Sequence, residues 1–209
     1  MSSWEEDLPL ASAWVVHEQR RATGQNLSAA QWMALQQIAC EFSTVEGFWT
    51  SFEHLPPPST VFYDGKSSKR VGVPPDARTI ESFSIFRAGV LPEWDDPSNK
   101  TGGEWYARRS LRPHELDACW RNLVLALVGR TLEAEAGDGG GDDVITGARV
   151  VDKSNGRGQP MYRLELWLSS SDASVTEPIK ARMVAALADE GAALPRGLAE
   201  SFQWRAHSQ

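Results

Sequence analysis

The stretch FRAGVLPEWDDPSNKTGGEW, Phe86 to Trp105, joins two extended runs through a turn rich in Pro and Asp. Trp94 is followed directly by a carboxylate, Asp95, and Gly102-Gly103 lets the backbone turn before an extended run resumes at Trp105. One use for a large aromatic beside an acid on a loop is to stack on a flat cationic ring while the acid accepts hydrogen bonds from its edge. The alternative is an aromatic folded back into the core. Upstream, Ile80 to Arg87 alternates as a strand does.

Working outward, residues 1–12 read as a loose tail and Trp14 to His17 as a first strand. Residues 28–42 mix helix formers with the alternation of Ile38, Cys40 and Phe42, and are read as a loop carrying Trp32 followed by a strand. Ser43 with Glu46 three residues on forms a capping-box signature, starting a helix that three prolines stop near Leu55. Residues 63–79 read as a long polar insertion containing Lys66, Lys69, Arg70 and Arg78.

The clearest helix runs from Pro113 to about Glu135, with Leu116, Cys119, Trp120, Leu123, Val124, Leu127 and Val128 at the spacing of one buried face. GDGGGDD at 137–143 ends it as a flexible acidic loop. Val144 to Val151 and Met161 to Leu168 read as a strand hairpin. A third helix is capped by Thr176, carries Pro178 in its first turn and stops at Gly191, and Phe202 to His207 forms a last strand. Hairpins mixed with three separated helices imply an α+β fold, an antiparallel sheet with helices on one face. The expected organisation is one domain over 13–209.

Composition narrows the function. With 41% hydrophobic and 23% charged residues the chain is an ordinary globular protein. A net charge of −7 argues against coating a nucleic acid lengthwise, so anion contacts need a local basic patch. Cys40 and Cys119 are too few for a disulfide framework, which points to a reducing, cytoplasmic setting. No apolar run approaches membrane-spanning length, and no membrane association is expected. Nine Trp residues stand out.

FSTVEGFW (42–49), GVLPEWDDPSNKTGGEW (89–105), LDACWRNLVLALVG (116–129) and LELW (164–167), in that order, resemble eukaryotic translation initiation factor 4E, the messenger-RNA cap-binding family. The resemblance spans roughly Trp14 to His207. It implies a curved antiparallel sheet of about eight strands backed on its convex face by three helices. It further implies that 7-methylguanosine is sandwiched between Trp32 and Trp94. Methylation at N7 gives the ring a delocalised positive charge, so stacking gains a cation–π term that guanine lacks. Asp95 stands where the family has Glu, to accept from the guanine edge, and is one methylene shorter. Trp167 matches the Trp that packs on the methyl group; its other reading is an ordinary sheet-face Trp.

The cap triphosphate needs cations. Arg149, Lys153, Arg157 and Arg163 fall within fifteen residues and supply a local basic hairpin. The resemblance puts the family's basic residues near Lys153 and Arg163, and in this longer loop either Lys153 or Arg157 is expected to make the phosphate contact beside Arg163. Glu104 departs from the family, which has a basic residue there; it is expected either to face and repel the phosphates or to pair with Arg108 or Arg109. On the opposite surface the resemblance implies a site for a helical Tyr-x4-Leu-apolar motif of a scaffold factor 4G-like protein or a 4E-binding protein. Val45, Trp49 and Leu125 match it, while Arg121 replaces an apolar residue. The insertion at 63–79 and Arg121 resemble the variant forms of trypanosomatid parasites.

The expected role is therefore cap recognition in translation by a chain that is monomeric on its own, with no enzymatic activity, metal or cofactor. A repressor-like isoform that binds caps without recruiting the scaffold is the alternative within the family. A Trp-rich carbohydrate-binding module is the alternative outside it; that class has no use for a basic hairpin.

Overall fold

The computed structural model describes residues 7–22, 28–133, 143–156, 158–188 and 194–208. In chain order these form β1 (Pro9–Arg20), α1 (Ala29–Ala34), β2 (Gln36–Thr44), α2 (Val45–Phe52), α3 (Pro58–Val61), β3 (Ile80–Arg87), β4 (Gly103–Arg109), α4 (Pro113–Val128), β5 (Ile145–Asp152), β6 (Tyr162–Leu168), α5 (Ala173–Leu187) and β7 (Gln203–Ala206). The expected curved antiparallel sheet is present with seven strands, in the order β2-β1-β3-β5-β6-β4-β7. Register shifts between Val16 and His17 and between Ile145 and Gly147 supply the irregularities that bend such a sheet.

The register sorts every strand residue onto one of two faces, because directly paired residues share a face and successive residues alternate. One row across six strands is Val16, Ile85, Ala148, Leu166, Trp105 and Trp204. It is apolar throughout and lies under the helices, with Trp105 Nε1 donating to the Thr176 carbonyl of α5 at 3.0 Å. Fully burying each Leu or Ile contributes about 1.5–3 kcal/mol, so this face carries the stability. The neighbouring rows on the opposite face are different in kind. Val15, Phe86, Gly147, Trp167, Glu104 and Arg205 form one. His17, Ser84, Arg149, Glu165, Tyr106 and Gln203 form the next.

α4 buries all seven apolar residues that its periodicity singled out. Pro113 occupies its first turn, and Glu115 Oε2 accepts from the Arg112 backbone N–H at 2.7 Å. The helix ends at Val128 rather than near Glu135, because Arg130 adopts the left-handed conformation at φ 56°. Most of the acidic loop expected at 137–143 lies outside the described residues.

Several local expectations are corrected. β1 begins at Pro9, inside the stretch read as a tail, and Leu8 is tied down by its N–H to Glu46 Oε2 at 2.9 Å. Glu46 therefore serves the strand rather than a capping box, and the α2 cap is Thr44, whose Oγ1 accepts from Gly47 N at 3.0 Å. The segment carrying Trp32 is a short helix, α1, instead of a loop. α5 begins a turn earlier than Thr176, capped by Asp172, which accepts from Ser174 N at 2.9 Å. Thr176 is buried inside that helix.

Gly147 marks the closest approach within the sheet face opposite the helices. A Cβ there would stand 2.5 Å from Phe86 Cγ and 2.6 Å from the Ile85 carbonyl oxygen. Gly147→Ala is expected to destabilise the fold by about 1–3 kcal/mol through overpacking, read as a lower midpoint in urea unfolding. An unchanged midpoint would contradict this packing.

Candidate functional site

Residues 88–102 connect β3 to β4 and present Trp94 with 46% of its surface exposed; Asp95 is exposed beside it. The loop is built from its own polar side chains. Asp96 accepts from Leu91 N at 3.0 Å and Ser98 N at 2.8 Å. Asn99, fully buried, donates to the carbonyls of Leu91 (2.8 Å) and Glu93 (3.0 Å). Such side-chain closure gives the loop a fixed shape without secondary structure. Gly102 is needed for close approach rather than turning: a Cβ there would lie 1.8 Å from the Leu168 carbonyl oxygen.

Beneath Trp94 lies the row from Phe86 to Arg205. The Arg205 guanidinium carbon sits 4.6 Å from the Trp94 ring centroid, and the His207 ring stacks on Trp94 at 6.0 Å and 14°. His207 also meets Trp167 at 4.5 Å. Trp167 is only 1% exposed, met edge-on by Phe86 at 5.2 Å and donating Nε1–H to Glu165 Oε2 at 2.8 Å. The aromatic groups thus form a column, Phe86, Trp167, His207 and Trp94, that ends at the exposed ring.

Glu104 anchors this column. Its side chain has no exposed surface and is paired with Arg205, while His207 Nε2 donates to Oε2 at 3.2 Å. His207 Nδ1 faces the Asn99 carbonyl at 2.9 Å, which ties the end of β7 to the loop. Burial alone pushes the Glu104 carboxyl upward. The His207 hydrogen bond and the charges of Arg205 and Arg163 outweigh it and hold the group below the usual carboxylate range. The pairing expected with Arg108 or Arg109 is not formed; Arg205 and His207 take that place. An acid with no exposed surface, paired in this way, does not confront an incoming phosphate as a bare charge.

The other end of the same face is basic. Arg163 pairs with Glu165, and its guanidinium carbon lies 5.9 Å from the Tyr106 ring centroid. Arg149 donates to Ser82 Oγ at 3.0 and 3.1 Å. Lys153, 3.9 Å from Glu81, has its ammonium pushed below the ordinary lysine value by burial and by the nearby charges of Arg163 and Arg149. Arg157 lies outside the described residues, as does the side chain of Trp32. The β1–β2 and β5–β6 connections leave the sheet where Arg20 pairs with Ile80 and Val151 with Arg163. The Trp94 loop leaves from the opposite end, where Trp14 pairs with Arg87. Trp94 and Trp167 are therefore brought together with Glu104, while Lys153 and Arg163 stand at the far end of the face with the α1 segment.

On the helix side, a groove of about 370 Å³ runs between α2 and α4, lined by Trp49, Phe52, Pro57, Asp117, Trp120 and Arg121 among others. Trp49 is 45% exposed, whereas its neighbour Phe48 is buried. Val45 begins α2, and Leu125 is partly buried against the core. Neither lines the groove.

The sequence reading missed Asp96, Asn99, Arg205 and His207. The signal for the last two was present: Gln203, Arg205 and His207 alternate with apolar or small residues along an extended run, which places Arg205 and His207 on one face. Among the described residues no cluster of His, Cys, Asp or Glu is arranged to hold a metal, and no helix is long and apolar enough to cross a membrane.

A sheet with an apolar face under helices and, on its other face, buried charged and Trp side chains that lead to the exposed Trp94 defines an α+β module with one exposed aromatic platform. Comparison with known proteins makes this specific: the chain belongs to the eukaryotic initiation factor 4E family, whose model matches residues 9–208. It is 30% identical over 164 residues to eukaryotic translation initiation factor 4E-1 of Schizosaccharomyces pombe, covering 78% of this chain and 61% of that protein. It is 27% identical to the Candida glabrata factor 4E, covering 87% of this chain and 74% of that one. In fold it resembles Ascaris suum eIF4E-3, solved with an m2,2,7G cap, at TM-score 0.70 and 21% identity over 98% of this chain and 93% of that one. It likewise resembles C. elegans eIF4E-3 in complex with the 4E-binding protein Mextli, at 0.68 and 21% over 97% and 94%.

Because the Glu104 carboxyl is held low when folded, its contribution is complete above its unfolded value of about 4.3 and is lost as pH falls through the lower folded value. Glu104→Gln is expected to cost about 2 kcal/mol at neutral pH, discounted for the partial exposure of Arg205, and to flatten the acid limb of a Tm-against-pH curve. A wild-type-like acid limb in the variant would contradict the assignment.

Proposed function

We propose that this chain binds the 7-methylguanosine cap of messenger RNA on the open sheet face and docks a helical partner segment on the helix face. The observation that carries the reading is the Arg205 guanidinium on the exposed Trp94 ring. A flat, delocalised cation already occupies the place that a methylated purine needs. In this reading the purine takes over the ring, and Arg205 stays on Glu104 as a neutralising partner.

The remaining roles follow the chemistry of each position. Trp94 and Trp32 enclose the base, which requires the β1–β2 connection to fold back over the face. Asp95, exposed and next in the chain, accepts from the guanine N1–H and amino group. Trp167 closes the inner end of the column. Lys153, Arg157 and Arg163 take the triphosphate, and an anion beside Lys153 relieves the repulsion from Arg163 and Arg149 that now lowers its ammonium. The role is one of binding rather than catalysis, in cytoplasmic translation. Solved relatives carry both kinds of ligand: a Schistosome eIF4E, 22% identical, has been solved with m7GpppG and 4E-BP together. The partner is a scaffold 4G-like or 4E-binding protein. Trp49 is its anchor, with Val45 and Leu125 beyond the groove, and Arg121 at the groove favours a segment with an acidic residue.

Tryptophan fluorescence titration tests the cap reading. A cation–π gain of about 1–2 kcal/mol makes 7-methyl-GTP bind roughly five- to thirtyfold tighter than GTP, and Trp94→Ala is expected to abolish the quench while the fold is retained. Equal affinity for the two nucleotides would sink it.

The partner reading is tested separately. Trp49→Ala is expected to remove binding of a Tyr-x4-Leu-apolar peptide and leave 7-methyl-GTP affinity within a few-fold, because the sites lie on opposite faces. Loss of both together would show that the faces are not independent.

A further inference from the structure

At the end of the sheet where β1 runs out, a cavity of about 470 Å³ is lined by Arg20, Arg21, Arg70 and Arg78, with Leu35 and Thr79 between them. Four guanidiniums in one cavity are conspicuous in a chain of net charge −7. Two carboxylates hold them in place. Glu18 pairs with Arg78, whose Nη2 donates to Oε2 at 2.7 Å, and Asp152 accepts from Arg21 Nη2 at 3.0 Å. Both acids are buried. Counting these groups together with Asp76, whose charge reaches Arg78, four positive charges face three negative ones, so the cavity keeps an excess of one.

Donor capacity is also left over. Arg20 Nε is buried without a hydrogen-bond acceptor among the described residues, its nearest carboxylate oxygen being 3.7 Å away on Glu18. Arg21 Nε has no acceptor among them either. Arg70 is exposed and spends one Nη2 bond on the Ala77 carbonyl at 3.2 Å. A buried N–H left unpaired is destabilising, and an anion seated in the cavity supplies the missing acceptors. No aromatic lines it and its apolar residues are small or single, so it lacks the anchor that a protein partner would fill.

We propose that this arginine cavity is a second anion site that receives phosphates of the RNA chain following the cap. The inference rests on the cap-binding reading and adds to it the path of the downstream nucleotides. Position favours this occupant. Arg21 donates to both the side chain and the carbonyl (3.3 Å) of Asp152, and the next residue, Lys153, is assigned to the cap triphosphate. The cavity therefore opens around the rim of the sheet directly after the triphosphate end of the proposed cap site. A chain that leaves Lys153 over this rim meets guanidiniums rather than the acidic remainder of the surface.

The test compares 7-methyl-GTP, a capped RNA decamer and the same decamer with an uncapped 5′-triphosphate, on the wild-type chain and on the double variant Arg20→Gln, Arg70→Gln, with circular dichroism to verify the fold. Both residues leave the Glu18–Arg78 and Asp152–Arg21 pairs intact. The wild type is expected to bind the capped decamer about tenfold tighter than 7-methyl-GTP; the variant loses most of that advantage and keeps its 7-methyl-GTP affinity. With two phosphate contacts removed, the slope of log K against log salt for the decamer falls by about 1.4. A decamer advantage and salt slope unchanged in the variant, or no advantage in the wild type, overturns the proposal. A polyglutamate peptide that competes as well as the uncapped decamer overturns the assignment to RNA. If 7-methyl-GTP fails to bind at all, the cap reading fails, while variant-sensitive binding of the uncapped decamer still upholds the cavity.

Discussion

A carboxylate without exposed surface in a sheet must be neutralised and hydrogen-bonded, and Glu104 meets that requirement with the Arg205 guanidinium and a hydrogen bond from His207. The consequence reaches well beyond the pair. His207, hydrogen-bonded to Glu104, stacks on Trp94 and bonds the loop through Asn99, while Arg205, paired with Glu104, lies against the same ring. The short last strand β7 is thereby fixed to β4, and the exposed Trp is held at a defined place over the sheet instead of swinging on a free loop. Taking away the acid would leave a cation beneath an aromatic with nothing to fix either.

The two faces of the sheet divide the work of the molecule. One carries apolar rows under α4 and α5 and supplies burial energy; the other carries Arg, Glu, His and Trp in registered rows, with the exposed Trp94 over one end. The strict period of two keeps these sets apart, so side chains can vary on the open face without disturbing the core. Gly147 shows that this second face is also tightly packed, because the Phe86 ring lies directly over its backbone.

Much of this was legible in the sequence, for physical reasons that differ by element. α4 has seven apolar residues at helical spacing, a pattern that no strand reading accommodates, and all seven are buried. β3 and β6 alternate, β5 is rich in β-branched residues, and all three were located to within a residue or so. The failures are local and share one cause: a side chain has more than one partner to choose from. Glu46 bonded a strand N–H 38 residues away instead of its own helix end, and Asp172 captured the start of α5 from Thr176. Glu104 was read against its neighbours in sequence, whereas its partners come from a strand a hundred residues downstream. Pairing across a sheet is set by topology, which a linear scan of charges does not contain.

The open face as a nucleotide site, with Arg205 holding the place of the base, is tested most directly by a crystal structure of the chain with 7-methyl-GTP. The account requires the purine ring to lie on Trp94, the Arg205 guanidinium to be off that ring while still paired with Glu104, and the triphosphate to run towards Lys153 and Arg163. A nucleotide bound elsewhere, with Arg205 still stacked on Trp94, would contradict it.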